Sequence, residues 1–211
     1  MKRLAIGALV LLGFAVPALA HPVAYQGATG VMTWNQPFLS DYWLTYSFRP
    51  NMAFAGRAMR MTMDTGSDLV VYMPQFDYLA KRWNESDYQA NIYLYGGYGG
   101  VHYQGQSGTA GLGGIEADAE SRKYFVLAKY EGMIPTIGQN FHHVEARIGI
   151  APYQAEINEI ASWLMIAGQY HPALNKSYAI TPLARFFYKN VLWEAGVSLQ
   201  GDWMANFMFH F

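Results

Sequence analysis

Trp203-Met204-Ala205-Asn206-Phe207-Met208-Phe209-His210-Phe211 alternates without a break. Trp203, Ala205, Phe207, Phe209 and Phe211 share one face, and Met204, Asn206, Met208 and His210 share the other. Side chains that repeat every second residue lie on opposite faces of an extended strand. A strand this aromatic on one face and this lightly polar on the other suits an apolar medium outside and a crowded interior. The pattern recurs upstream. Val191, Trp193, Ala195, Val197 and Leu199 oppose Glu194, Gly196, Ser198 and Gln200, while Tyr42, Leu44, Tyr46 and Phe48 oppose Asp41, Thr45, Ser47 and Arg49. His142, Val144, Ala146, Ile148 and Ile150 likewise oppose His143, Glu145, Arg147 and Gly149.

In a soluble sandwich the water-facing positions would be densely charged. Here only 14% of 211 residues are charged, against roughly 25% in ordinary soluble domains. Apolar residues reach 52% and aromatics 16%, with 21 Gly and no Cys. The absence of Cys excludes a disulfide scaffold, a thiol enzyme and a zinc ribbon. With 14 Lys+Arg against 15 Asp+Glu, the net charge of −1 excludes a basic nucleic-acid binder. After the first twenty residues no apolar run is long enough for a membrane helix. Strands exposed to lipid must close on themselves, because an open sheet edge leaves unpaired backbone groups. The pattern therefore predicts an all-β, antiparallel, up-and-down transmembrane barrel.

The closing segment resembles the last strand of bacterial outer-membrane β-barrel proteins. In that family the terminal aromatic and the alternate apolar residues are recognised by the barrel assembly machinery. The resemblance implies that Trp203, Phe207, Phe209 and Phe211 form an assembly signal. The start of the chain fits the same destination. Lys2 and Arg3 precede an apolar run from Leu4 to Val16, and Ala18-Leu19-Ala20 supplies a small–x–small cleavage pattern. Residues 1–20 are read as a signal peptide and 21–211 as the barrel. The expected location is the outer membrane of a Gram-negative cell, with membrane lipid and the assembly machinery as partners and no nucleic acid.

Strands are expected near 28–35, 41–49, 53–63, 69–83, 88–104, 119–131, 141–151, 157–170, 178–188, 191–200 and 203–211. Eleven is an odd number, whereas single-chain bacterial barrels have even counts. At about 10 residues per strand and about 6 per connection, residues 21–211 fit roughly 12 strands, with 10 the alternative. Gly105–Gly114 is expected to be a long outer loop. Gly96-Gly97-Tyr98-Gly99-Gly100 has no nucleotide-loop spacing and reads as a wall segment that accommodates bulky neighbours.

The inward faces should carry a charge network, since ionisable groups inside a membrane protein need partners. Its expected members are Asp41, Arg49, Arg60, Asp77, Lys81, His143, Glu145, Arg147, Arg185 and Glu194. Tyr93, Tyr95 and Phe125 should fill the lumen beside them, and Ser47, Ser162 and Ser198 are candidate inward hydroxyls. No catalytic residue or cofactor is expected. The leading reading is a non-enzymatic barrel acting as a narrow channel or as a structural or surface-interaction protein. Two alternatives stand beside it. Met59, Met61 and Met63, together with His21 at the expected mature terminus, would suit envelope copper handling; their period-two spacing is read instead as a lipid-facing stripe, leaving His21 the one metal candidate. A lipid-modifying enzyme would need a Ser–His pair on one outward strand end, and none is evident.

Overall fold

In a computed structural model, which describes residues 21–156, 158–174 and 177–211, twelve antiparallel strands close into a single barrel. They are β1 Thr29–Gln36, β2 Leu39–Arg49, β3 Met52–Thr62, β4 Asp68–Asn84, β5 Tyr88–Tyr103, β6 Gln106–Ser121, β7 Tyr124–Pro135, β8 Phe141–Ile150, β9 Ala161–Tyr170, β10 Tyr178–Tyr188, β11 Val191–Val197 and β12 Trp203–His210. Each strand pairs with its sequence neighbours, and β1 pairs with β12 to close the ring. At that seam Gly30 lies opposite His210 and Asn35 opposite Ala205. Thr29 and Phe211 exchange two backbone hydrogen bonds of 2.9 Å. The expected signal peptide lies outside the described residues.

The twelfth strand is β6, which corrects the expected loop at Gly105–Gly114. Strand β5 ends at a two-residue turn, Gln104-Gly105, and β6 pairs back along its whole length from Gln106 to Ser121. Both turn residues have positive φ, 49° and 76°, as a twist-matched two-residue hairpin requires. The expected strand at 119–131 consequently splits at Arg122-Lys123 between β6 and β7. Glycine lowers strand propensity, but at several positions here it is imposed by crowding. A Cβ on Gly97 would stand 2.7 Å from Met73 Sδ, and one on Gly114 would collide with the Tyr95 ring.

Outward positions carry the apolar girdle. Tyr42, Leu44, Tyr46, Trp203 and Phe207 are exposed, and Trp193 and Phe209 half-buried. Inward positions are buried, among them Asp41, Thr45, Ser47, Glu194, Asn206 and His210. On β3 the faces are the reverse of those expected. Asp41 pairs with Met59 and Leu39 with Met61, so the methionines share the inward side. Met59, Met61 and Met63 are buried in an apolar cluster with Met32, Met73, Met133 and Met208, and are not a lipid-facing stripe. Arg60 is consequently outside, paired with Asp68 at 2.8 Å.

Strand β4 carries a second parity change. The pairing with β5 shifts between Leu79 and Lys81, so an extra residue enters the strand at this β-bulge. Lys81 is turned out and Arg82 turned in, where Arg82 bonds Asn91 and the Tyr93 hydroxyl. Arg49 ends β2 beside the Pro50-Asn51 turn, past another register shift, and is exposed. Arg49, Arg60 and Lys81 therefore do not belong to the lumen network. Before β1 the chain folds into the barrel end. Ala24 N donates to Ser47 Oγ at 3.0 Å, and Val23 is fully buried with Ala53, Leu79 and Tyr93.

Candidate functional site: the lumen

Arg57 stands at the centre of the interior. It projects inward from β3 because it shares the parity of Met59 and Met61. Its Nε and Nη2 donate to the two Asp41 oxygens at 3.0 and 2.7 Å. Its Nη1 and Nη2 also donate to the two Glu131 oxygens at 2.9 and 2.7 Å, and Nη1 reaches Gln75 Oε1 at 3.1 Å. One guanidinium thus bonds both oxygens of two carboxylates, from β2 and from β7, which is four strands away around the wall. Planar, bidentate pairing of this kind fixes geometry as well as charge. The Trp43 ring lies under the guanidinium, 4.7 Å from centroid to Cζ.

Lys129 completes this half of the network. Its ammonium lies 4.0 Å from Glu131 and 5.5–5.6 Å from the ring centroids of Trp34, Trp43 and Tyr95. Three aromatic faces around one cation form a cage that holds it by its charge. Arg57 and Lys129 thus face the charges of Asp41 and Glu131.

A second knot spans β8 to β12. Arg147 Nε donates to Glu145 Oε1 at 2.5 Å, and its Nη1 donates to Glu194 Oε2 at 2.8 Å. Arg185 Nε donates to Glu194 Oε1 at 2.6 Å, and Asn206 Nδ2 to Glu194 Oε2 at 2.7 Å. Arg185 also lies over Phe125 at 4.2 Å. The structure therefore brings together His143, Glu145, Arg147, Arg185 and Glu194 on one side, and places Asp41 and Asp77 on the other. Asp77 accepts from Gln75 Nε2 at 2.7 Å. Arg57, Lys129 and Glu131 were missed by sequence reading. Once the methionine row was assigned to lipid, parity carried Arg57 outside with it.

The lumen leaves little space. A cavity of about 50 Å³ lies between Trp34, Glu116, Lys129, Arg147, Arg185 and Glu194. A larger one of about 340 Å³ opens at the loop end, bordered by Phe38, His171, Leu174, Thr181, Ser198 and Met204. His171, just beyond β9, stacks on His143 at 4.3 Å and on Phe141 at 5.5 Å. Burial, with His143 beside it, lowers its pKa to about 3, so it is neutral at physiological pH. Between the mouth and the charged belt lies the methionine-rich cluster. Side chains line the bore at both levels.

The outer wall carries two hydroxyl arrangements. Ser162 faces outward, against the inward expectation, and shares a 2.9 Å hydrogen bond with the Tyr153 hydroxyl. Ser107 and His102 are linked at 2.9 Å beside the Gln104-Gly105 turn, both exposed. This is the outward Ser–His pair that was not evident in the sequence. A nucleophile–base pair needs a third group to orient the base. The Cα partner of His102 across the β4 pairing is Val70, and no hydrogen bond to a carboxylate or amide is found for His102 among the described residues. The pair therefore has no triad geometry.

No protein-family model matches the chain, and no curated protein matches it in sequence. Its architecture does have solved counterparts. The KdgM porin is 11% identical and matches with a TM-score of 0.51, over 87% of this chain and 99% of that one. The same figures hold for the KdgM porin in complex with disordered oligogalacturonate. At this identity the likeness is one of fold. The closed antiparallel β-barrel is the fold that this chain shares with the KdgM porin.

Proposed function

We propose that this protein is a non-enzymatic outer-membrane barrel, exported by a cleaved leader, whose bore is a narrow channel closed at rest by its own side chains. The observation that carries this reading is the Arg57 bridge, in which one buried guanidinium ties the Asp41 and Glu131 walls together. Twelve strands enclose more space than the eight that side chains just fill, and less than the 16–18 that leave open aqueous channels. Here the extra space is occupied by large residues and by paired charges, which resist displacement because each would be left unpaired. The porin likeness supports a channel-type architecture. The oligogalacturonate named with KdgM is acidic, and a through-path for such a chain would call for exposed cations. In this lumen Arg57, Arg147 and Arg185 are already bonded to carboxylates, so that ligand is not proposed.

The test is conductance of the purified, refolded protein in a planar bilayer. Wild type should give small or undetectable ionic steps. Arg147→Ala with Arg185→Ala should enlarge them, since both truncations widen the 50 Å³ cavity beside Glu194. Steps as large as a general porin's in the wild type would overturn the closed-bore reading.

A further inference from the structure

The two arginine knots leave one part of the lumen unbalanced. Strand β6 presents Glu116, Asp118 and Glu120 at three successive inward positions. Their side of the barrel is the end where the chain enters, and there His21 has been folded inside. His21 is 5% exposed and Asp118 4%. His21 Nδ1 faces Asp118 Oδ2 at 3.5 Å, beyond a good hydrogen bond. Asp118 Oδ2 and His21 Nε2 are both buried without a hydrogen-bond partner. Glu116 brings a third donor, and one ligand atom from each of the three residues lies within 4.8 Å of the others.

We infer that His21, Glu116 and Asp118 form a binding site for a divalent transition cation, which ties the amino-terminal segment to the barrel wall. The donor set is one imidazole nitrogen and two carboxylate oxygens, a mixture that suits Zn²⁺ and its neighbours better than Mg²⁺ or Ca²⁺, which prefer oxygen alone. Imidazole must be neutral to bind a metal.

The surroundings have the features of a supporting shell. Asp118 Oδ1 accepts from Asn91 Nδ2 at 2.8 Å, and Asn91 Oδ1 accepts from Arg82 Nε at 2.7 Å, so the carboxylate is held with its other oxygen toward His21. Such outer contacts orient ligands and raise affinity. Tyr93 stacks on the His21 ring at 5.3 Å and fixes its plane. Glu116 also borders the 50 Å³ cavity, which has room for a water to complete the coordination. Bound there, the cation would offset two carboxylates that no arginine reaches by a hydrogen bond among the described residues. It would also hold His21–Val23 against Tyr93 and Leu79, across the barrel end.

The test uses protein purified from membranes, stripped with a chelator and titrated with Zn²⁺ and with Co²⁺. Binding is read by equilibrium dialysis with metal analysis and by the visible absorption of Co²⁺. One equivalent should bind, equal concentrations of Mg²⁺ and Ca²⁺ should not compete, and proteolysis before β1 should slow. Asp118→Asn and Glu116→Gln should each weaken Zn²⁺ at least tenfold, while His142→Ala on the outer wall should not. Folding of each variant is checked by heat-modifiable gel mobility. Absence of saturable one-to-one binding in the wild type would overturn the site. So would full-strength binding in a folded Asp118→Asn, Glu116→Gln double variant. None of these readouts involves conductance, so the site and the closed-bore reading stand or fall separately.

Discussion

Arg57 and Arg60 are three residues apart on one strand and show what position does to the same guanidinium. Arg60 is 61% exposed at its side chain and bonds Asp68 at the rim, where water and salt screen the pair. Exposed pairs of this kind contribute about 0–1 kcal/mol. Arg57 is 2% exposed at its side chain and satisfies Asp41 and Glu131 together. Its loss would leave two carboxylates, drawn toward one point, without their shared cation. Breaking a buried pair by removing one partner costs about 3–5 kcal/mol. Arg57→Ala should therefore lower stability several-fold more than Arg60→Ala, measured as urea unfolding from lipid vesicles. Equal effects from the two would show that the lumen is wet enough to screen Arg57, and would weaken the closed-bore reading with it.

Strands β5 and β6 carry the same lesson at the level of an element. Gly99 faces inward, where a Cβ would run into the backbone and side chain of Tyr72-Met73 on β4. Gly56 faces outward from β3, and a Cβ there meets nothing within 4 Å. Gly99→Val should block folding, read as loss of heat-modifiable gel mobility, while Gly56→Val should fold as the wild type does. This pair of glycines also shows how far the fold was legible. Alternation marks a strand when its two faces differ in chemistry, as on β2, β8, β11 and β12, and there the assigned faces match the structure apart from Arg49, past the register shift at the end of β2. Strand β6 begins Gln106-Ser-Gly-Thr-Ala-Gly-Leu-Gly-Gly114, whose residues are mostly small on both faces, and at Gly108 and Gly114 Thr136 and Tyr95 need the room. Its two faces look alike, so its pattern vanished. Parity was the second weak point. The bulge before Lys81 is invisible in the sequence, and on β3 methionine suits lipid and a packed lumen equally well. Both errors moved a cation to the wrong side of the wall, which is why Arg57 and Arg82 were missed while Arg147 and Arg185 were not.

The whole molecule depends on closure, and closure depends on two of its short strands. Strands β1 and β12 have 8 residues each, against 17 for β4 and 16 each for β5 and β6. The long strands can form hairpins early from local contacts, whereas the seam joins the two ends of the chain and carries the largest loop-closure cost. An unclosed barrel presents two open edges, which lipid does not tolerate. Phe211 sits at this weak point with two roles. Its backbone exchanges hydrogen bonds with Thr29, and its ring stacks on Phe209 at 5.4 Å on the lipid side. Deleting it removes the last rung of the seam and one aromatic of the expected assembly signal together. The deletion should leave export intact and reduce the folded, heat-modifiable fraction in the outer membrane, with unfolded chain accumulating on the periplasmic side. Phe211→Ala keeps the backbone rung and removes only the ring. If both changes lower assembly equally, the ring is what matters, as recognition by the assembly machinery requires. If only the deletion does, the seam hydrogen bonds carry the effect. If neither does, closure is secured by the remaining rungs from Gly30 to Asn35 and Phe211 has no part in assembly.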